Sequence, residues 1–141
     1  MHTIETTIEI AAPLATVHAA ITTEAGYRGW WSEDSDYDGK RAEFRFVRKS
    51  DTMIATFRVE RVDARGIAMT CVAEQNNPDW RGTTLDIALE PTATGTRVRL
   101  VHAGYPDNNE CYAQCTKGWQ FFLGSLDKYA ATGTGSPHTK V

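Results

Sequence analysis

From residue 3 to residue 10 the chain alternates without a break. Ile4, Thr6, Ile8 and Ile10 fall on one face, and Thr3, Glu5, Thr7 and Glu9 on the other. A period of two predicts a half-buried strand. Ala11-Ala12-Pro13 ends it, and Pro13 suits the first turn of a helix. Val17, Ala20 and Ile21 then recur at helical spacing. Thr22-Thr23-Glu24 restarts a second short helix that runs through Gly26 to Trp31. Ser32 to Lys40 is polar and acidic, with Asp34, Asp36 and Asp38, and reads as a loop. Five strand-like segments follow. Phe44 and Phe46 share a face of 41–47. Over 52–62, Ala55, Phe57 and Val59 oppose Ile54, Thr56 and Arg58. Ile67, Met69 and Cys71 share a face of 66–73. Leu85, Ile87 and Leu89 do so over 83–90, and Val98, Leu100 and His102 over 96–103. The turns between them are short and polar, which predicts an antiparallel meander.

Gly104-Tyr105-Pro106 closes the last strand. Asp107 to Glu110 has the spacing of a capping box, with Asp in place of Ser or Thr. A long amphipathic helix then runs to Ala130 or Ala131, with Cys111, Cys115, Trp119, Phe122, Leu123 and Leu126 on one broad face. The Gly- and Thr-rich stretch 132–137 ends it. The pattern therefore predicts an α+β domain over 1–135 and a polar tail over 136–141. Its sheet is six-stranded, curved and antiparallel, wrapped around a long C-terminal helix, with two short helices after the first strand. Such a sheet leaves room between itself and the helix.

Composition narrows the function classes. At 141 residues the chain is most simply one domain, long enough to bury a core without staples. A net charge of -3 with interspersed signs argues against a nucleic-acid protein. No apolar run reaches the ~18 residues of a membrane helix, and the N-terminus lacks the pattern of a signal peptide. Three cysteines do not make a disulfide framework, so a cytoplasmic protein with reduced thiols is expected.

The residues that could carry chemistry are mostly aromatic. Trp30, Trp31, Phe44, Phe46, Phe57 and Trp80 are spread over segments that would surround the sheet–helix space, as are Tyr105, Tyr112, Trp119 and Phe122. Met69 and Cys71 on their strand face, and Cys115 and Leu123 on the helix, complete the candidate ligand-binding set. Small-molecule sites are mainly apolar with a few placed polar groups. His102, on an inward face, is either a hydrogen-bonded core residue or an acid–base group. Arg58 would need an anionic partner if it faced inward. Cys111 and Cys115 share a helix face, but two thiols fall short of the ligand count of a zinc site. No strained Ser elbow, Gly-rich phosphate loop or complete calcium loop is present. Neither catalytic residues nor a metal or other cofactor are expected.

The order of elements, with Gly29-Trp30-Trp31, the strand 95–102 and Gly118-Trp119-Gln120-Phe121-Phe122-Leu123, resembles the START-like (SRPBCC) superfamily. Within it the chain is similar to the branch related to the C-terminal domain of the activator of heat-shock protein 90 ATPase. The resemblance spans Ile4 to about Gly135. It implies a helix-grip fold with a deep, mainly apolar cavity between sheet and C-terminal helix. The expected function is non-enzymatic binding of a small hydrophobic or aromatic molecule, such as a lipid or polyketide. Two alternatives accompany it: a cyclase- or hydrolase-type enzyme using His102, and a chaperone-linked interaction module. A homodimer is compatible with any of the three.

Overall fold

The computed structural model describes residues 1–139. Its elements are β1 (His2–Ile10), α1 (Leu14–Ile21), α2 (Glu24–Trp30), β2 (Asp34–Tyr37), β3 (Arg41–Val47), β4 (Thr52–Asp63), β5 (Gly66–Gln75), a single 3-10 turn (Pro78–Trp80), β6 (Thr84–Pro91), β7 (Thr96–Tyr105) and α3 (Glu110–Thr132). The strands form one open antiparallel sheet in the order β1-β7-β6-β5-β4-β3-β2. β2 to β7 are a meander in which each strand pairs with the next. β1 pairs with β7 through Ile4 opposite His102, Ile8 opposite Val98 and Ile10 opposite Thr96.

The sheet has seven strands, where the sequence predicts six. The extra one is β2, within the acidic segment expected to be a loop. Four residues of which two are acids carry little apolar alternation, so period alone cannot register the strand. Tertiary partners hold it. Asp34 and Asp36 both accept from Arg45 on β3, at 2.9 and 2.7 Å, and Arg28 of α2 donates to the Ser35 carbonyl.

The inner face follows the alternation closely. Ala42, Phe44 and Phe46 of β3, Ile67, Met69 and Cys71 of β5, Leu85, Ile87 and Leu89 of β6, and Val98, Leu100 and His102 of β7 are all buried. Each fully buried aliphatic contributes about 1.5–3 kcal/mol. Register shifts break the period in places, two in β4 and one where β1 meets β7. In β4 a bulge at Thr56/Phe57 leaves Ala55, Thr56 and Phe57 all buried, and Arg58 points outward to pair with Glu60. In β7 the register slips beside Gly104, whose φ of 98° only glycine adopts readily. That slip returns Tyr105 to the inner face, three residues after His102.

The helices are closed by local chemistry. Thr23 caps α2 by accepting from the Gly26 amide. At α3 the predicted capping box does not form. Asn109 is the N-cap, its Oδ1 accepting from the Tyr112 amide at 3.1 Å, because the helix begins at Glu110. The C-terminus ends on Gly133 at φ 83°, with its amide bonded to the Tyr129 carbonyl. Beyond it, residues 136–138 turn back onto the domain. The Ser136 amide donates to Ser125 Oγ, and His138 bridges to the Trp31 carbonyl and the Glu33 amide.

Candidate functional site

A cleft of about 640 Å3 opens between the N-terminal half of α3, the loop carrying the 3-10 turn, and the ends of β3 and β4. Its apolar walls are Trp31, Phe46, Met53, Trp80, Trp119 and Phe122. Two thiols, Cys111 and Cys115, and a set of carboxamides and charges complete its lining.

Each tryptophan arrives by a different local route. Trp31 follows α2 and lies against Phe44, ring centroids 4.1 Å apart, and against Trp119 at 4.9 Å. Trp80 is presented by the 3-10 turn, whose Trp80 amide bonds back to the Asn77 carbonyl and whose Trp80 carbonyl accepts from both the amide and hydroxyl of Thr83. Trp119 comes from the buried face of α3. The Trp80 and Trp119 planes lie within 8° of parallel, at a centroid separation of 6.4 Å.

Behind these rings lies a closed polar cluster. The Trp119 indole N–H donates to His102 Nδ1 at 3.0 Å. An indole nitrogen can only donate, so Nδ1 must be the unprotonated nitrogen. The proton therefore sits on Nε2 and is given to Thr83 Oγ1 at 2.9 Å, and the Thr83 hydroxyl passes its own to the Trp80 carbonyl. The Tyr105 hydroxyl stands 3.0 Å from the same Nδ1. Wholly buried, His102 is driven down to a pKa of about 3 by the loss of solvation, which keeps it neutral. Burial likewise pushes the Tyr105 phenol well up. This arrangement positions two tryptophans of the cleft wall; it does not open onto the cleft.

Six of the residues expected to line a pocket do so: Trp31, Phe46, Trp80, Cys115, Trp119 and Phe122. The rest lie elsewhere. Trp30 points away, its indole donating to the Ala20 carbonyl at 2.7 Å. Phe44 and Phe57 form a second layer packed on Trp31 and Trp80. Met69, Cys71 and Leu123 are core. His102 and Tyr105 form the brace just described, and Tyr112 closes the far side by donating to the Thr3 carbonyl. The lining residues Arg48, Met53, Asn76, Asn77, Asp79 and Gln114 carry no apolar or aromatic period that marks them in the sequence. The cluster Asn76-Asn77-Pro78-Asp79 was legible only as a turn.

Cys71 and Cys111 are not poised for nucleophilic work. Burial, with the neighbouring Cys115 thiol adding to it, pushes Cys111 up to about 12, and burial pushes Cys71 up to about 11. Among the described residues, no three His, Cys, Asp or Glu side chains gather as a metal site would require. No helix among them is long and apolar enough to cross a membrane.

An open antiparallel sheet gripping one long helix, with an aromatic cleft at that helix's N-terminal half, defines a helix-grip domain of the START-like class. The chain belongs to the family described as Activator of Hsp90 ATPase homolog 1-like protein, whose model matches residues 11–131. Solved structures agree. The Aha1 dimer from Colwellia psychrerythraea is 26% identical and superposes with a TM-score of 0.80, over 96% of this chain and 100% of that one. The AHSA1 protein from Silicibacter pomeroyi is 19% identical, with a TM-score of 0.77 over 94% and 99% of the two chains. DynU16, from the dynemicin biosynthetic locus, shares the fold at 17% identity and a TM-score of 0.71, over 94% of this chain and 48% of that one. No curated protein matches the chain.

Proposed function

We propose that this protein is a non-enzymatic binding domain that holds a small hydrophobic or aromatic molecule in the cleft. The carrying observation is the cleft itself: about 640 Å3, walled by three tryptophans and two phenylalanines, with Trp80 and Trp119 braced by the cluster around His102. Burial of the ligand's apolar surface drives binding at roughly 25 cal/mol per Å2. Lipid-like and polyketide-like aromatics are the classes that suit the walls. Catalysis by His102 is the weaker reading, because both ring nitrogens are engaged within the protein and the ring has no open volume beside it. Three free thiols suit a reducing, cytoplasmic setting.

The test is intrinsic tryptophan fluorescence with a panel of fatty acids, flavonoids and aromatic polyketides. Saturable quenching or a spectral shift that Trp80→Leu diminishes is expected. A flat response across the panel would sink the reading.

A second reading, a chaperone-linked module, draws on the family match and on Phe121, the one exposed aromatic among the described residues. Phe121 stands on α3 outside the cleft. Capture of an Hsp90-type chaperone by the immobilised chain, lost in Phe121→Ser, is its expected signature. Failure of the intact chain to retain the chaperone removes it. The Colwellia relative's description as a dimer makes self-association a natural companion; sedimentation that reads a monomer at all concentrations would exclude it.

A further inference from the structure

Cys111 and Cys115 are partly exposed and both line the cleft, whereas Cys71 is buried in the core. Four residues apart on α3, they share one face of the helix and stand one turn from each other. The Cys115 thiol acts directly on that of Cys111. The Trp80 indole N–H donates to Cys115 Sγ at 3.4 Å, so the pair stands against an aromatic wall. Gly118 follows on the next turn. A Cβ there would meet nothing within 4 Å, which leaves the lining open beside the thiols. This spacing does not serve a disulfide. Cβ atoms one helical turn apart are separated by about 5–6 Å, beyond the about 3.5–4.5 Å that a disulfide spans. A single atom bonded to both sulfurs bridges the gap. Zinc asks for three or four protein ligands. Asp79, beside Cys111, is held by the Asn109 amide, and no three such donors gather as a metal site among the described residues.

We propose that Cys111 and Cys115 form a dithiol clamp for trivalent arsenic that carries one aromatic group. The inference rests on the cleft admitting an aromatic ring, as proposed above. Trivalent arsenic makes three bonds. One goes to the ring carbon, so two protein sulfurs complete the set, and sulfur is the donor a soft centre prefers. The walls of Trp80, Trp119 and Phe122 take the ring. The step balances without a co-reactant. An arylarsine oxide loses its arsenic–oxygen bond, both S–H bonds break and two As–S bonds form. The oxygen leaves with the two protons as water, and arsenic stays trivalent. Burial and the neighbouring thiol hold Cys111 protonated at neutral pH, which slows oxidants and alkylators that need a thiolate. The arsine oxide has no such need, because its own oxygen takes the protons. Closing the second As–S bond is intramolecular, so the pair retains arsenic where a lone thiol yields it to free monothiols.

The matched probes are phenylarsine oxide and methylarsine oxide, which differ only in the carbon group. Each is added to the intact reduced chain in excess glutathione and followed by mass spectrometry. One phenylarsenic per chain, with two hydrogens lost, is expected on the tryptic segment 100–117, which carries both thiols. A small dithiol is expected to remove it. The phenyl probe should be held about tenfold more tightly than the methyl probe, because its ring buries more apolar surface. Cys111→Ser and Cys115→Ser should each weaken retention by at least about a hundredfold. The clamp is overturned if glutathione strips the wild-type chain, if the adduct maps to Cys71, or if either serine variant holds arsenic as tightly. Equal retention of the two probes overturns the aromatic assignment. The flavonoid and polyketide panel contains no arsenic, so it judges the cleft reading separately from each of these results. The wild-type mapping and glutathione challenge decide the matter even should a variant fail to fold.

Discussion

At the scale of single residues, the most informative side chain is His102. In the folded state it stays neutral down to about pH 3, whereas an unfolded histidine takes up a proton near pH 6.5. Below that value the unfolded chain binds more protons, so stability falls with falling pH. The loss begins near pH 6.5 and approaches about 5 kcal/mol by pH 3. Chemical denaturation between pH 6.5 and 5, where carboxylates are still ionised, is expected to show this slope, and His102→Gln is expected to flatten it. Tyr27 makes the opposite case. Its hydroxyl is buried among Trp30, Trp31, Tyr37 and Phe44 without a hydrogen-bond partner, and desolvation raises its pKa well above the ordinary value. Removing a buried orphan costs nothing and can stabilise. Tyr27→Phe should therefore leave the midpoint of thermal unfolding unchanged or raise it, whereas most core changes lower it.

At the scale of elements, α3 does more than cover the sheet. Ser125, near its middle, donates to the Trp30 carbonyl at 2.7 Å and accepts from the Ser136 amide at 2.7 Å. One hydroxyl thus ties α2, α3 and the C-terminal segment together. Ser125→Ala strands a buried carbonyl and is expected to cost about 1–3 kcal/mol in urea denaturation. Close packing enforces the same junction: a side chain on Gly29 would collide with the Tyr129 ring. Gly29→Val is accordingly expected to destabilise by at least as much. Most elements were legible in the sequence because their apolar periods are long. β2 was not, since it depends on Arg45 and Arg28 from other elements. The cap of α3 was misplaced for a related reason: Asp107, Asn108 and Asn109 are all good caps, and the helix start depends on where β7 delivers the chain.

At the scale of the molecule, the outward-facing strand positions read as ion pairs. Arg97 meets Glu9 and Glu90, Arg99 meets Glu5, and Arg61 meets Asp63 and Asp86. These groups are about half exposed, and solvent screens such pairs so that each contributes little to stability. Arg99→Gln is expected to leave the midpoint of equilibrium denaturation essentially unchanged. The signs alternate across this face, which suits a solvated surface and gives a polyanion little to grip. The ligand proposal also has a global consequence. A molecule present at 100 times its Kd raises stability by about 2.7 kcal/mol, visible as a concentration-dependent rise in the unfolding temperature.

Strand and helix periods, the inward face of each strand and the aromatic face of α3 follow from the sequence, because side-chain direction is a local property of the backbone. The aromatic content of these segments and the apolar face of α3 marked Trp31, Phe46, Trp80, Cys115, Trp119 and Phe122 as candidate lining, and the cleft gathers them. Neither could tell them from Trp30, Phe44, Phe57 or Met69, which share the inward direction but lie at other depths. Depth depends on how the sheet curves and where α3 crosses it. The polar side of the cleft was hidden for the same reason. Asn76, Asn77 and Asn109 sit in two turns more than thirty residues apart, and only the tertiary structure sets them around one opening.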